Sequence, residues 1–179
     1  MWLRLLRVII ATFFRPRLGF LDESVLWFVV SPGDLDVNVH MNNARYLAVM
    51  DLGRADLLLR TGLWTTLRQL KLAPVLGATM VRYRRSLKPF QRFCLRSRLV
   101  AWDEKWFYIE HIIQRDGVTA CSAVVKATFV GQGGTAPPAF ITKAVGYQPP
   151  SPDLPAWVQA WRDFDASQEQ RPLRAVGES

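Results

Sequence analysis

Ten residues, Asp34-Leu35-Asp36-Val37-Asn38-Val39-His40-Met41-Asn42-Asn43, carry two acids, three amides and one of the chain's two histidines. A carboxylate such as Asp36 can take a proton from water or attack an electrophile directly. The amide of Asn38 both donates and accepts, which suits holding a water or a carbonyl group. An imidazole at His40 could serve as a base, an orienting donor or a structural residue. Ala44-Arg45-Tyr46-Leu47 follows and opens a helical pattern, so Asn42 or Asn43 stands where an N-cap belongs. The first N–H groups of a helix have no partner within it, and the helix dipole adds positive potential there. Those around 43–45 would make an oxyanion hole if aimed at a developing negative charge. The competing reading is plain turn chemistry. Aspartates before a helix commonly bond their own backbone, so Asp34 and Asp36 taken singly read as turn and capping residues. A loop with only a turning job needs no histidine, and the conjunction of acid, amide and imidazole favours chemistry.

The elements that must hold this loop are legible on either side of it. Residues 25–30 (VLWFVV) are β-branched and aromatic and end at Ser31-Pro32-Gly33, which predicts the first strand. After the loop, Tyr46, Met50, Gly53 and Leu57 recur at helical spacing, with Leu47, Val49, Leu52 and Leu58 widening the stripe. The pattern predicts a helix over 44–60, stopped at Thr61-Gly62, and apolar enough to be wrapped by other structure. Residues 64–71 read as a short helix or an irregular connection. Four strand-like runs follow at 73–87, 92–101, 106–115 and 120–130, joined by short turns that imply antiparallel neighbours. Residues 131–138 read as loop. Trp157, Val158, Trp161 and Phe164 predict a late helix over 154–164 that docks through those four side chains, and 167–179 reads as a polar tail. One apolar helix wrapped by one curved antiparallel sheet buries all these faces, which is an α+β arrangement.

The chain has 179 residues, enough for one domain with a real core, and a formal net charge of +8. Such an excess attracts phosphates, acidic proteins or anionic membranes, or is merely solvated surface charge. Arg82, Arg84, Arg85, Lys88, Arg92, Arg96 and Arg98 concentrate on two neighbouring strands. Nucleic acid, for which Tyr83, Phe90 and Phe93 supply some aromatic interleaving, is the lesser reading. Cys94 and Cys121 lack CxxC spacing and sit in apolar strands, which suits buried thiols in a reducing, cytoplasmic compartment. His111, mid-strand among apolar neighbours, reads as a core or interface histidine. No metal-ligand spacing is present and no cofactor is expected.

Residues 1–20 form an apolar-basic unit whose longest uncharged run, 8–14, is far shorter than the ~20 residues of a spanning helix. It reads either as an interfacial helix in peripheral contact with a membrane or as a helix packed on the protein's own body or on a dimer mate. Three units result: 1–20, a domain over 21–148, and 149–179.

The run Asp34 to Tyr46, written D-x-D-x-N-x-H-x-N-N-x-x-Y, resembles the motif of hotdog-fold acyl thioesterases. The likeness is to the 4-hydroxybenzoyl-CoA thioesterase-like group and the acyl-ACP thioesterases. The N-terminal segment and late Trp-rich helix are similar to those of the thioesterase superfamily member six group. The resemblance implies a curved sheet around one central helix, and a hydrolase of lipid metabolism cleaving acyl-CoA or acyl-ACP thioesters as a homodimer or dimer of dimers, with sites between subunits. It places the catalytic acid on Asp36, its companions on Asn38 and His40, and a helix acid of some relatives on Asp51. Asn43, Ala44, Tyr46, Arg82, Arg84 and Arg85 become the candidate substrate contacts. The bend 85–91 departs from the Arg-x-x-P-x-x-x-G-D-like pattern of many relatives. Two alternatives stay open: an enoyl hydratase or dehydratase, and a non-catalytic, membrane-associated acyl-lipid-binding module. Hydratases of this fold resemble an acid and a histidine with four residues between them, whereas only three, Val37 to Val39, separate Asp36 from His40.

Overall fold

The first strand pairs not with the segment that follows it but with the third, because a helix must cross between them. The computed structural model of the chain describes residues 1–169. The elements run α1 (Trp2–Thr12), β1 (Ser24–Val29), a short 3-10 turn (Pro32–Asp34), α2 (Asn43–Arg60), α3 (Leu63–Gln69), then β2 (Ala73–Tyr83), β3 (Arg92–Trp102), β4 (Phe107–Arg115) and β5 (Val118–Gly131). A three-residue strand β6 (Gly134–Ala136) and helices α4 (Pro138–Ala144) and α5 (Ala156–Glu169) complete it. The sheet is antiparallel in the order β1-β3-β4-β5-β2, with β6 on β5. It curls around α2 as a half-barrel, the α+β hotdog arrangement.

Alternation on each strand sends one set of side chains to α2. Phe93 and Leu95 of β3, Ile113 of β4 and Cys121 of β5 meet Tyr46, Val49 and Met50 of the helix. A second cluster joins Leu63 and Leu67 of α3 to Trp102, Phe107 and Phe129. Helix and sheet approach most closely at Gly53, where a Cβ would stand 2.2 Å from Ser97 Oγ and 2.8 Å from Leu95 Cδ2. Polar groups buried with the helix are satisfied. Asp56 accepts from Arg15, Ser24 and Arg60, and Cys94 and Cys121 are buried free thiols. Burial pushes the Cys121 thiol up to about 12.

Several expectations need correction. The stretch 131–138 read as loop contains β6 and the first residue of α4, and α4 itself was not foreseen; its Ile141 is fully buried in the second cluster. α5 runs on to Glu169, so the first residues assigned to the tail are helical, and residues 170–179 of that tail lie outside the described residues. α5 docks on the sheet's other face through Val158 and Trp161, against Tyr108 and Val124; Trp157 and Phe164 are exposed. Lys126 of β5, ion-paired with Asp165, adds a polar tie. β2 ends at Tyr83 rather than at 87, because the chain turns there to close over the loop before α2. α1 lies on α2 and β1 through Val8, Leu26 and Leu52, so it packs on the body by one face.

Candidate active site

The acid-amide loop is a narrow hairpin. Leu35 and Met41 form an antiparallel bridge, and Asp36 N–H donates to His40 O at 2.8 Å. Met41 N–H reaches Leu87 O at 2.8 Å, which is why the chain bends away from β2. Inside the hairpin, Asp36 Oδ1 accepts from Asn38 N–H at 2.9 Å and His40 N–H at 3.2 Å. The turn thus uses one carboxylate oxygen and leaves Oδ2 without a hydrogen-bond partner among the described residues. Val39 at the tip has φ +57°, a left-handed conformation that costs a β-branched residue about 1–3 kcal/mol. A turn with no other task would place glycine or asparagine there.

The two aspartates have separate roles. Asp34 is 3 % exposed and is gripped by Arg4 at 2.6 and 2.9 Å, by Ser31 N–H at 2.9 Å and by Ser31 Oγ at 2.8 Å. Burial alone would raise its pKa, but Arg4 and Ser31 outweigh it and hold the carboxyl below the usual range. It is a fixed anchor. Asp36 stands half-buried and faces outward. The structure joins Asp36 to the backbone of Asn38 and His40, not to their side chains. The Asn38 amide and His40 imidazole form no hydrogen bond among the described residues, and Asn38 is exposed.

At the start of α2 the expected row of three free amides narrows to one. Asn42 caps the helix, its Oδ1 accepting from Ala44 N–H at 2.9 Å, while Arg45 N–H turns back to Asn42 O at 2.8 Å. The Asn43 N–H makes no hydrogen bond among the described residues and is the donor left there at the positive end of the dipole. Tyr46 is not a surface contact. It is 2 % exposed, its hydroxyl accepting from Leu87 N–H at 3.1 Å. Burial chiefly raises its pKa, with the Asp36 charge near enough to contribute. Tyr83, overlooked as a site residue, donates to Asn43 O at 3.2 Å and so fixes the end of β2 beside the helix start. An aromatic flanked by arginines was the available signal, and it read equally well as strand alternation.

The basic residues divide by position. Away from the loop they are committed: Arg96 to Glu23, Arg98 to Glu110, and Arg92 stacked over Trp27 at 4.5 Å. Arg82, Arg84 and Arg85 are exposed, make no ion pair among the described residues, and line an open groove with Tyr83 and the β4–β5 turn, Gly117 to Thr119.

Farther along α2 an apolar cavity of about 310 Å³ opens between helix and sheet, lined by Leu57, Leu58, Leu76, Leu99, Phe107 and Phe129. At its rim Asp51 pairs with Arg54. Arg54 Nη1 also donates to His111 Nε2 at 3.3 Å, so the neutral ring carries its proton on Nδ1 and donates to Ser97 Oγ at 2.8 Å. Burial, then the Arg54 charge, hold His111 well below its ordinary value. This is the core histidine the sequence pattern implied, and burial lowers the Arg54 pKa to about 10.

A curled antiparallel sheet closed on one helix, with an outward carboxylate at that helix's start, defines a hotdog-fold protein of the thioesterase kind. The family model for the thioesterase-like superfamily matches residues 30–162, and the chain belongs to that superfamily. It is 36 % identical over 162 residues to the protein named THEM6 of Danio rerio, covering 89 % of this chain and 78 % of that one. It is 30 % identical over 95 residues to a probable thioesterase of Saccharomyces cerevisiae, covering 51 % of this chain and 41 % of that one. Among solved structures, the probable thioesterase YbaW of Escherichia coli superposes with a TM-score of 0.64 at 19 % identity, over 69 % of this chain and 96 % of that one.

Proposed function

We propose that this chain is an acyl thioesterase in which Asp36 activates water, or attacks the thioester carbon, with the Asn43 N–H receiving the oxyanion. The observation that carries the reading is the division of labour within Asp36. Oδ1 is consumed by two loop N–H groups, which fixes the carboxylate's direction, and Oδ2 is left for a water or a carbonyl carbon. Asn38 is the adjacent group for holding the water, and His40 serves the loop through its backbone. The family supports hydrolysis over hydration, as does the bonding of Asp36 to the His40 backbone rather than to the imidazole.

The substrate's polar end is read at Arg82, Arg84 and Arg85. Uncommitted guanidiniums beside the helix start suit the phosphates of coenzyme A, or an acidic carrier protein. Its acyl end follows the exposed stripe Asn43, Ala44, Leu47 and Asp51 of α2 toward the apolar cavity. Asn43 to Asp51 spans about 12 Å of helix, and the apolar cavity of about 310 Å³ lies at its far end. A medium-to-long acyl chain fits this path. The second wall is a partner's. β2 is an eleven-residue edge strand with Val75, Leu76 and Tyr83 exposed, the kind of edge that a second copy covers. The chain acts as a homodimer paired at β2.

The test is a panel of acyl-CoA and acyl-carrier-protein thioesters of graded length, read by thiol release. A rate that rises with chain length to a plateau supports the reading. No hydrolysis of any substrate, or hydration of an enoyl-CoA instead, removes it.

A further inference from the structure

Helix α1 has two faces with different fates. Arg4, Leu5 and Val8 lie against the body, Arg4 donating to Asp34 and to Val29 O and Val8 packing on Leu26 and Leu52. At roughly 100° per residue, Trp2, Leu3, Leu6, Ile10, Phe13 and Phe14 fall on the opposite arc, about 120° wide. All six are exposed, Trp2 at 83 %, Phe13 at 80 % and Phe14 at 84 %. The two phenylalanines continue the same face because Phe13 keeps helical dihedrals. Six large apolar side chains on one arc form a contiguous patch rather than scattered surface residues.

The charges around the patch have one sign. Residues 1–18 contain four arginines and no acid. Asp34 and Asp56 take up Arg4 and Arg15. Arg7, at the margin of the arc, and Arg17 have no ion pair among the described residues. Beside the helix, Arg7, Arg45 and Arg92 line a groove shared with the edge strand β1, whose Trp27 is 58 % exposed. The helix has 11 residues, about 16 Å against the ~30 Å of a hydrocarbon core. No helix among the described residues is long and apolar enough to cross a membrane. A second copy laid on this patch by two-fold symmetry would bring Arg7 toward its own equivalent, which like-charge repulsion disfavours.

We propose that α1 seats the protein on an anionic phospholipid bilayer as an interfacial helix. The arc from Trp2 to Phe14 enters the headgroup and upper acyl region, and Arg7 and Arg17 meet lipid phosphates. The seat stands independently of the reaction at Asp36. It is nonetheless tied to that site, because Arg4 on the buried side of the helix holds Asp34, the anchor of the hairpin.

Flotation of the full chain with vesicles tests it, using phosphatidylcholine alone and phosphatidylcholine mixed with phosphatidylserine. The wild type floats with the mixed vesicles, about tenfold or more beyond phosphatidylcholine alone, and added salt lowers this increment. The combined substitution Trp2→Ser, Phe13→Ser, Phe14→Ser lowers partitioning roughly tenfold or more. It leaves the circular dichroism spectrum and thermal midpoint in place, since these side chains point away from the body. Arg7→Glu with Arg17→Glu removes the phosphatidylserine increment alone. A wild type that stays with the lipid-free fraction overturns the proposal, as does a triple variant that floats like the wild type. Sedimentation equilibrium showing a self-association that the triple variant loses, without vesicle binding, assigns the face to a second copy and overturns it too.

Discussion

Replacing Asp36 in two ways separates the turn from the catalyst. The carboxylate accepts from Asn38 N–H at 2.9 Å and from His40 N–H at 3.2 Å through Oδ1 alone. Asparagine offers an amide oxygen in the same place, so Asp36→Asn keeps both bonds and the hairpin while removing the base or nucleophile. Alanine removes both functions. Two hydrogen bonds at about 1 kcal/mol each put the stability cost of Asp36→Ala near 1–2 kcal/mol. At about 2–4 °C per kcal/mol for a chain of this size, its thermal midpoint falls by roughly 2–8 °C, whereas that of Asp36→Asn moves by a degree or so. Turnover behaves differently. Loss of a general base costs about 10²–10⁴-fold, equivalent to roughly 3–5.5 kcal/mol of barrier, and both variants suffer it alike. Thermal melts beside steady-state hydrolysis of one acyl-CoA suffice. An Asp36→Asn enzyme with near wild-type kcat would refute the reasoning and return Asp36 to a turn residue.

Three further outcomes follow from other parts of the molecule. Asp56→Ala leaves Arg60 buried without its carboxylate partner, and urea denaturation should show a loss of about 3–5 kcal/mol. His111 is held neutral in the fold by burial and then by Arg54, while the unfolded chain takes up its proton near 6.5. Its contribution is therefore complete above that pH and is lost as pH falls below it, with a slope approaching about 1.4 kcal/mol per pH unit. Urea midpoints between pH 8 and pH 5 read this slope, and His111→Gln flattens it. Arg84→Glu with Arg85→Glu should raise KM for acyl-CoA by about tenfold at low salt with kcat little changed, an effect that shrinks as salt rises.

Local chemistry decided much of this protein without tertiary help. Alternation along 92–101, the three- and four-residue spacing through Tyr46, Met50, Gly53 and Leu57, and the cap at Asn42 each depend on neighbours a few residues away. The bounds of β3 and α2 followed closely from them. The density of polar residues in 34–43 marked the site for the same reason. What the sequence could not separate was any choice made by a distant residue. Asp34 and Asp36 look alike in the chain, and Arg4, thirty residues earlier, turns the first into a buried anchor. Tyr46 became a core residue because Leu87 folds over it, and Ala44 and Arg45 lost their free N–H groups to Asn42. The exposure of Asp36 Oδ2 and of one arc of α1 likewise depends on what the fold leaves uncovered. Burial and pairing are properties of surfaces brought together from far along the chain, so only the packed structure could assign them.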